Sequence, residues 1–270
     1  MSVAVLLLLF CLGGVVGVVA GLMGIGGGMI MVPFLIAAFT FDGYPEASLV
    51  KMAIGTSLAT IIFTSISSVL THRRQGSVIW PVVQIMAPGI ALGALSGSQL
   101  VGMAPAMLVS IVFSLFLLWS AWSVALRKPG NEALPDGQRP KRSVLATGGF
   151  GIGIASAVVG AGGGFMTIPF LIRRGMVPTR AVGCSAACGI PIAIAGTIGY
   201  MLAETKIDLP GAVIGYVHIP AVLAIAAASV MTAPYGARLA HRLPPAKLKR
   251  LFGAILTALA LYMLVRLVMA

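Results

Sequence analysis

The chain has 270 residues, of which 59% are hydrophobic and 9% are charged, and its formal net charge is +12. Soluble domains carry about 25% charged residues. This composition therefore excludes a soluble globular enzyme, a disordered chain and a disulfide-stapled secreted domain, and leaves a polytopic membrane protein. The three cysteines, Cys11, Cys184 and Cys188, lie in apolar stretches without a CxxC pair. We expect them to be packing residues.

Apolar runs follow one another along the chain at 2–21, 29–41, 47–71, 78–100, 105–126, 144–159, 165–172, 181–203, 211–235 and 248–269. Most are long enough to cross a bilayer, which requires about 20 apolar residues per helix. The runs at 29–41 and 165–172 are too short, and each follows a run of glycines. Short, glycine-interrupted segments at matching places in two halves indicate a transporter binding site. We therefore predict an all-α polytopic membrane protein.

The two halves of the chain resemble each other in sequence. Residues 24–35 (GIGGGMIMVPFL) reappear at 160–171 (GAGGGFMTIPFL), a separation of 136 residues, and Gly-Thr-Ser at 55–57 matches Gly-Cys-Ser at 183–185. Self-similarity of this kind predicts duplication of a unit of about 130 residues.

This duplication gives the predicted domain organisation. The first membrane repeat is 1–126, the second is 144–270, and the linker between them, at 127–143, is rich in proline, glycine and charge. Each repeat is predicted to hold a glycine-broken pair of helices, one of them short, followed by three transmembrane helices.

The basic residues divide unevenly between the two sides of the membrane. If each glycine-broken pair returns to its starting side, 15 of the 18 basic residues share one side, and Lys51, Lys206 and Arg266 lie on the other. Cytoplasmic loops carry the excess of Lys and Arg. We therefore place the linker in the cytoplasm and both termini in the periplasm. An odd number of crossings per half makes the repeats inverted.

The doubled motif Gly-x-Gly-Gly-Gly…Pro-Phe-Leu, followed in each half by Gly-[Thr/Cys]-Ser, resembles the TauE/SafE sulfite exporter family of bacterial inner-membrane permeases. The resemblance covers nearly the whole chain and both repeats. It implies transport of small sulfur oxyanions or organosulfonates, such as sulfite or sulfoacetate, without fixing which of them is carried.

The two glycine runs are the centre of the predicted substrate site. Each glycine costs a helix interior about 1 kcal/mol relative to alanine, so we expect both runs to break the helix and expose backbone N–H groups. The helix that follows would present its positive dipole end, where an anion binds well. Close helix packing is the alternative explanation for these glycines. The predicted residues are Gly26, Gly27, Gly28, Gly162, Gly163 and Gly164.

Polar side chains extend this predicted site. Hydroxyl groups can donate to an oxyanion without carrying a fixed charge, and Ser57 and Ser185 are favoured because both halves keep the serine. Ordinary hydrogen bonding between helices is the alternative. The other substrate-binding candidates are Thr56, Cys184, Gln84 and Tyr216, of which the last two are paired at a separation of 132 residues.

His218 is the candidate for proton coupling, because histidine titrates near neutral pH, although a hydrogen-bonded structural histidine is the commoner case. No Asp or Glu maps to the membrane core, and neither HExxH nor a P-loop occurs. We therefore expect no relay through buried carboxylates, no catalytic residues, no metal and no cofactor.

Together these features predict a secondary transporter, not an enzyme, that exports sulfite, sulfoacetate or related organosulfonates by alternating access. An uptake permease for another small anion, such as a carboxylate, and an anion channel are the alternatives. The expected partners are a small anion and the lipid bilayer, with no nucleic acid, and a homodimer is left open.

Overall fold

The computed structural model describes residues 3–23, 27–126, 141–204, 211–240 and 245–269. Over these residues the chain forms ten helices and one short hairpin. The elements are α1 (Val3–Met23), α2 (Gly28–Phe41), α3 (Glu46–Arg74), α4 (Trp80–Met103), α5 (Ala106–Leu126), α6 (Arg142–Val159), α7 (Gly164–Ile172), α8 (Pro178–Leu202), β1 (Val213–Ile214), β2 (Val217–His218), α9 (Ile219–Ala240) and α10 (Pro245–Met269).

Seven helices in the described part of the chain, α1, α3, α4, α5, α6, α8 and α9, are long and apolar enough to cross a membrane. Many of their large apolar side chains, such as Leu7 and Leu92 at 62% exposure each, point away from the protein. Such surfaces suit lipid and not water. The fold is an all-α polytopic membrane protein, as the sequence predicts.

Two helices are too short to span the bilayer, and they are the two that follow the glycine runs. Helix α2 has 14 residues and α7 has 9. At a rise of about 1.5 Å per residue they reach about 21 Å and about 14 Å, against a hydrocarbon core of about 30 Å. Both must therefore end inside the membrane or start there.

Long helices from the first half pack against long helices from the second. Helix α1 packs against α9, α4 packs against α6, and α3 packs against α8, and α3 and α8 are the most buried of the long helices described. Each of these pairs joins one half to the other. The two halves are therefore interleaved and share one interior.

Glycine lets the α4 and α6 backbones approach closely. Gly89, Gly93 and Gly97 of α4 recur every four residues, so they form one stripe on the helix. A Cβ at Gly97 would lie 2.8 Å from the Ile154 carbonyl oxygen of α6, and one at Gly93 would overlap the Phe150 carbonyl. Because lipid supplies no hydrophobic drive for helix association, this close packing is a main source of stability.

The segment at 211–235, expected to be one apolar run, begins as a hairpin. Strands β1 and β2 pair antiparallel, with Val213 opposite His218, and helix α9 starts only at Ile219. Gly215 turns the chain at φ 57°, against the carbonyl ends of α8, where a side chain would collide with the Tyr200 carbonyl. Glycine at this turn therefore holds the hairpin against the end of α8.

Candidate functional site

Both glycine runs break the helix, as the sequence predicts. Gly27 and Gly163 have φ values of 72° and 74°, the left-handed region that glycine enters without strain. Each precedes the first residue of a short helix and accepts the first hydrogen bonds of that helix. The N–H groups of Met31 and Thr167 bond these two carbonyls at 3.2 and 2.8 Å.

The first break contacts the end of α6, immediately before the second glycine run. Gly28 opens α2 beside the carbonyl of Gly160, so close that a Cβ would overlap that oxygen. The Ser57 hydroxyl of α3 donates to the same carbonyl at 2.9 Å, and both groups are buried. Three helices from both halves therefore meet at one buried point, and Ser57 joins them.

The other predicted glycines lie around this meeting point or outside the described residues. Gly164 is buried as the first residue of α7. The Gly162 carbonyl lies 3.3 Å from the Cβ position of Gly189, on α8. Gly26 lies outside the described residues.

Thr56 and Cys184 take up matching places on α3 and α8. The Thr56 hydroxyl accepts the backbone N–H of His218 at 3.0 Å, and the Cys184 sulfur accepts that of Ile79 at 3.2 Å. Each acceptor thus fixes the backbone just before a long helix, α9 or α4. Ser185 is fully buried on α8, at 0% exposure.

The structure places Gln84 and Tyr216 in different surroundings. Gln84 is exposed within α4, whereas Tyr216 is buried in the turn before α9. Both helices carry proline in their second position, so Pro81 of α4 corresponds to Pro220 of α9, 139 residues later. At that separation Tyr216 would match Ser77, and the pairing of Gln84 with Tyr216 stays a prediction.

His218 lies at the end of β2, just before the membrane span of α9, and is 1% exposed. Its Nε2 lies 3.0 Å from the Tyr44 hydroxyl, and its Nδ1 accepts the N–H of Ala221 at 3.2 Å. An accepting Nδ1 places the hydrogen on Nε2, which donates to Tyr44. Burial lowers the pKa of His218, and the nearby Asp42 carboxylate opposes this only in part. The geometry therefore holds a neutral imidazole.

This arrangement predicts a pH-dependent contribution of His218 to stability. A lowered pKa in the folded state means that the unfolded chain binds the proton more readily. The stabilisation is therefore complete above about pH 6.5, the unperturbed value, and is lost as the pH falls through the folded-state pKa. We expect the melting temperature of the wild type to exceed that of His218→Gln at pH 8, and the gap to narrow towards pH 5. A gap that stays constant over this range would contradict the assignment.

Lys51 is a buried residue that the sequence interpretation placed with the loop charges. It lies in the second turn of α3, is 7% exposed, and donates from Nζ to the Gly102 carbonyl at 2.8 Å. Gly102 belongs to the last turn of α4, where a cation also complements the helix dipole. The Lys51 ammonium also lies 5.4 Å from the centre of the Tyr216 ring. The sequence signal that could have indicated this burial is the position of Lys51 as a lone lysine inside an apolar run.

Three buried hydroxyl residues near the second break are absent from the site predicted from the sequence. They are Ser65 of α3, Ser156 of α6 and Thr167 of α7, at 3%, 3% and 0% exposure. Their spacing in the sequence gives no sign that they meet, because each lies on a different helix. Among the described residues, no group of three or more His, Cys, Asp or Glu side chains could hold a metal ion.

Comparison with known proteins places this architecture in a family. The family model described as Sulfite exporter TauE/SafE matches residues 9–263. A probable membrane transporter protein of Haemophilus influenzae is 34% identical over 262 residues, covering 97% of this chain and 98% of that protein. The probable membrane transporter protein MJ0441 of Methanocaldococcus jannaschii is 29% identical over 259 residues, or 95% and 94% of the two chains. No solved structure matches the chain. The chain therefore belongs to the TauE/SafE sulfite exporter family.

Proposed function

We propose that the protein is a secondary transporter that exports small sulfur-containing anions, such as sulfite or sulfoacetate, across the inner membrane. Family membership and the names of the relatives support membrane transport. The observation that carries the proposal is the buried meeting of Gly28, Gly160 and Ser57, where both halves contribute to one break in the helices.

The chemistry of this region suits an anion. Two short helices, α2 and α7, begin at the breaks, and the N-terminus of a helix carries unpaired N–H groups and a partial positive charge. The polar side chains near the breaks carry hydroxyl or thiol groups, and no carboxylate is among the buried polar residues described. Backbone dipoles and neutral donors can therefore bind the anion while leaving no fixed counter-charge to hold it too tightly.

Burial favours a carrier over a channel. Thr56, Ser57 and Ser185 are each 0% exposed, so an anion reaches this region only after helices move. We propose that in this movement the two inverted repeats, 1–126 and 144–270, exchange conformations. The matching contacts of Thr56 with His218 and of Cys184 with Ile79 support this relationship. His218 is the proposed coupling residue, since its protonation would disturb the Ala221 contact that starts α9.

Counterflow in proteoliposomes tests the proposal. Vesicles loaded with unlabelled sulfite should accumulate labelled sulfite from outside at zero net flux, which a carrier allows and a channel does not. A thermal-shift screen with sulfite, thiosulfate, sulfoacetate, taurine and simple carboxylates identifies the substrate class, because a ligand of the folded state raises the melting temperature. Stabilisation by carboxylates alone would support the alternative anion permease, and flux without counterflow would support a channel.

The orientation is a separate prediction. We propose that the loop after α3 is cytoplasmic and that the loop after α8 is periplasmic. The exposed basic residues Arg73, Arg74 and Arg180 then lie on the cytoplasmic side, where Lys and Arg are in excess. In a Cys11→Ala background, an impermeant maleimide applied to intact spheroplasts should label Glu204→Cys. It should label Gln75→Cys only after permeabilisation. The reverse pattern would invert the topology.

A further inference from the structure

The second break, at the start of α7, has buried hydroxyl groups beside it, next to the Ile192 Cδ1 methyl of α8, which a Cβ at Gly163 would overlap. The Ser156 Oγ of α6 and the Thr167 Oγ1 of α7 lie 3.2 and 3.5 Å from the point where a Cβ of Gly163 would stand. Both side chains are buried. Two hydroxyls therefore converge on the residue that caps the helix.

Thr167 is the most informative of these residues. Its hydroxyl is buried, at 0% exposure, and has no hydrogen-bond partner among the described residues. A buried hydroxyl without a partner is costly, so it calls for an explanation. Ser57 differs, because its proton is already donated to the Gly160 carbonyl. Thr167 is thus a donor without an acceptor beside the N-terminus of a helix.

Another hydroxyl approaches this region from α3. The Ser65 Oγ lies 2.7 Å from the Cβ position of Gly189, on α8, and the Gly162 carbonyl lies 3.3 Å from the same point. Glycine at 189 therefore leaves room for Ser65 beside the second glycine run. Three helices, α3, α6 and α7, each bring one hydroxyl to this side.

The first break has no hydroxyl groups at the positions that match these three residues. The residues that match Ser156, Thr167 and Ser65 in the first half and on α8 are Ala20, Met31 and Ala193. The Cβ position of Gly27 meets the Ala20 Cβ at 3.3 Å, where its counterpart meets a hydroxyl. The backbone is alike at the two breaks, but at these matched positions only the second has hydroxyl groups.

We propose that the substrate anion binds at the α7 break and not at the α2 break. Its oxygens would accept from Thr167, Ser156 and Ser65 and from the N–H of Gly164. Three hydroxyls from three helices suit an anion with three oxygens on one atom, the sulfite or sulfonate group. This inference rests on the proposed function and locates its binding site.

Thr167→Val tests the inference, since valine keeps the shape and removes the hydroxyl. We expect purified Thr167→Val without ligand to melt at or above the wild-type temperature, because an unpartnered buried hydroxyl is lost. Its affinity for sulfite, from thermal shift and counterflow, should fall by about 10-fold or more, the loss expected for a hydrogen bond to a charged group. Thr167→Ser keeps the hydroxyl, so we expect this variant to bind sulfite as the wild type does.

Thr197→Val is the matched control. Thr197 also has a buried hydroxyl without a partner among the described residues, but it lies on α8 eight residues beyond Gly189, about 12 Å along the helix. Its sulfite affinity should equal that of the wild type. If the wild type responds to sulfite and Thr167→Val responds equally, the inference fails while the proposed function stands. If the wild type responds to no sulfur anion, the proposed function itself fails.

Discussion

Replacing Gly28 with alanine is expected to reduce sulfite counterflow to less than about a tenth of the wild-type rate. The added Cβ would overlap the Gly160 carbonyl, and it would also lie 2.7 Å from Ile61 Cδ1 and 3.0 Å from the Ser57 hydroxyl. None of these neighbours is an exposed, flexible chain end, so α2 must move away from α6. Overpacking of this kind costs about 1–3 kcal/mol, and here the strain falls on the point where the two breaks meet.

Gly151→Ala is the control for this variant. Gly151 also lies in a helix, α6, but is exposed, and a Cβ there would meet nothing within 4 Å. Alanine should leave transport unchanged and stabilise the helix by up to about 1 kcal/mol. Counterflow is normalised to the amount of folded protein, so that lower insertion is not mistaken for a lower rate. Full transport by Gly28→Ala would exclude the meeting of the breaks from the transport mechanism.

The breaks themselves were predictable because they depend on local backbone chemistry. A run of three glycines disfavours a helix wherever it occurs, so the starts of α2 and α7 follow from residues 26–28 and 162–164. The side chains around each break were not predictable in the same way. Ser65 and Thr167 lie on different helices, and only tertiary packing brings them to the same side of the second break.

The hairpin before α9 and the burial of Lys51 were missed for a related reason. Hydropathy describes residues 211–218 as part of a membrane run, but Gly211 and Gly215, at φ 88° and 57°, turn the chain twice. Charge alone assigns Lys51 to a loop. Its ammonium is instead stabilised by the Gly102 carbonyl at the end of another helix. Composition fixes which segments are apolar, whereas the partners of each polar group depend on the fold.

The asymmetry between the breaks has a mechanistic consequence. If the repeats exchange conformations, each break takes the same backbone roles in turn, but the Ser57 hydroxyl at the α2 break already donates to the Gly160 carbonyl, whereas Thr167 at the α7 break has no partner among the described residues. A substrate held there would be bound by Ser156 and Thr167 of the second half and by Ser65 of α3, so the Ser65 contact is the one that changes when the first half moves. The first break would then act through packing, with Gly28 bearing on the Gly160 carbonyl and Ser57 joining the two.

Replacing Gly93 with leucine is expected to prevent assembly of the protein. A side chain at Gly93 would collide with the Phe150 carbonyl, and its first carbon would lie 3.1 Å from the Ile154 nitrogen, so α4 and α6 could not keep their contact. This contact joins the two halves of the chain. The cost should exceed the usual range of about 1–3 kcal/mol for overpacking, because backbone and not a flexible side chain must yield.

The measurement is the amount of monodisperse protein extracted from membranes, with Gly151→Leu as the matched control on the opposing helix. Gly151 is exposed and has open space around its Cβ position, so leucine there should face lipid and leave the yield unchanged. Gly93→Leu should give less than about a tenth of that yield, since close approach of small residues drives helix association in membranes. Equal yields for the two variants would mean that α4 and α6 do not pack through this stripe. The interleaving of the two halves would then rest on the other pairs of helices, such as α1 with α9 and α3 with α8.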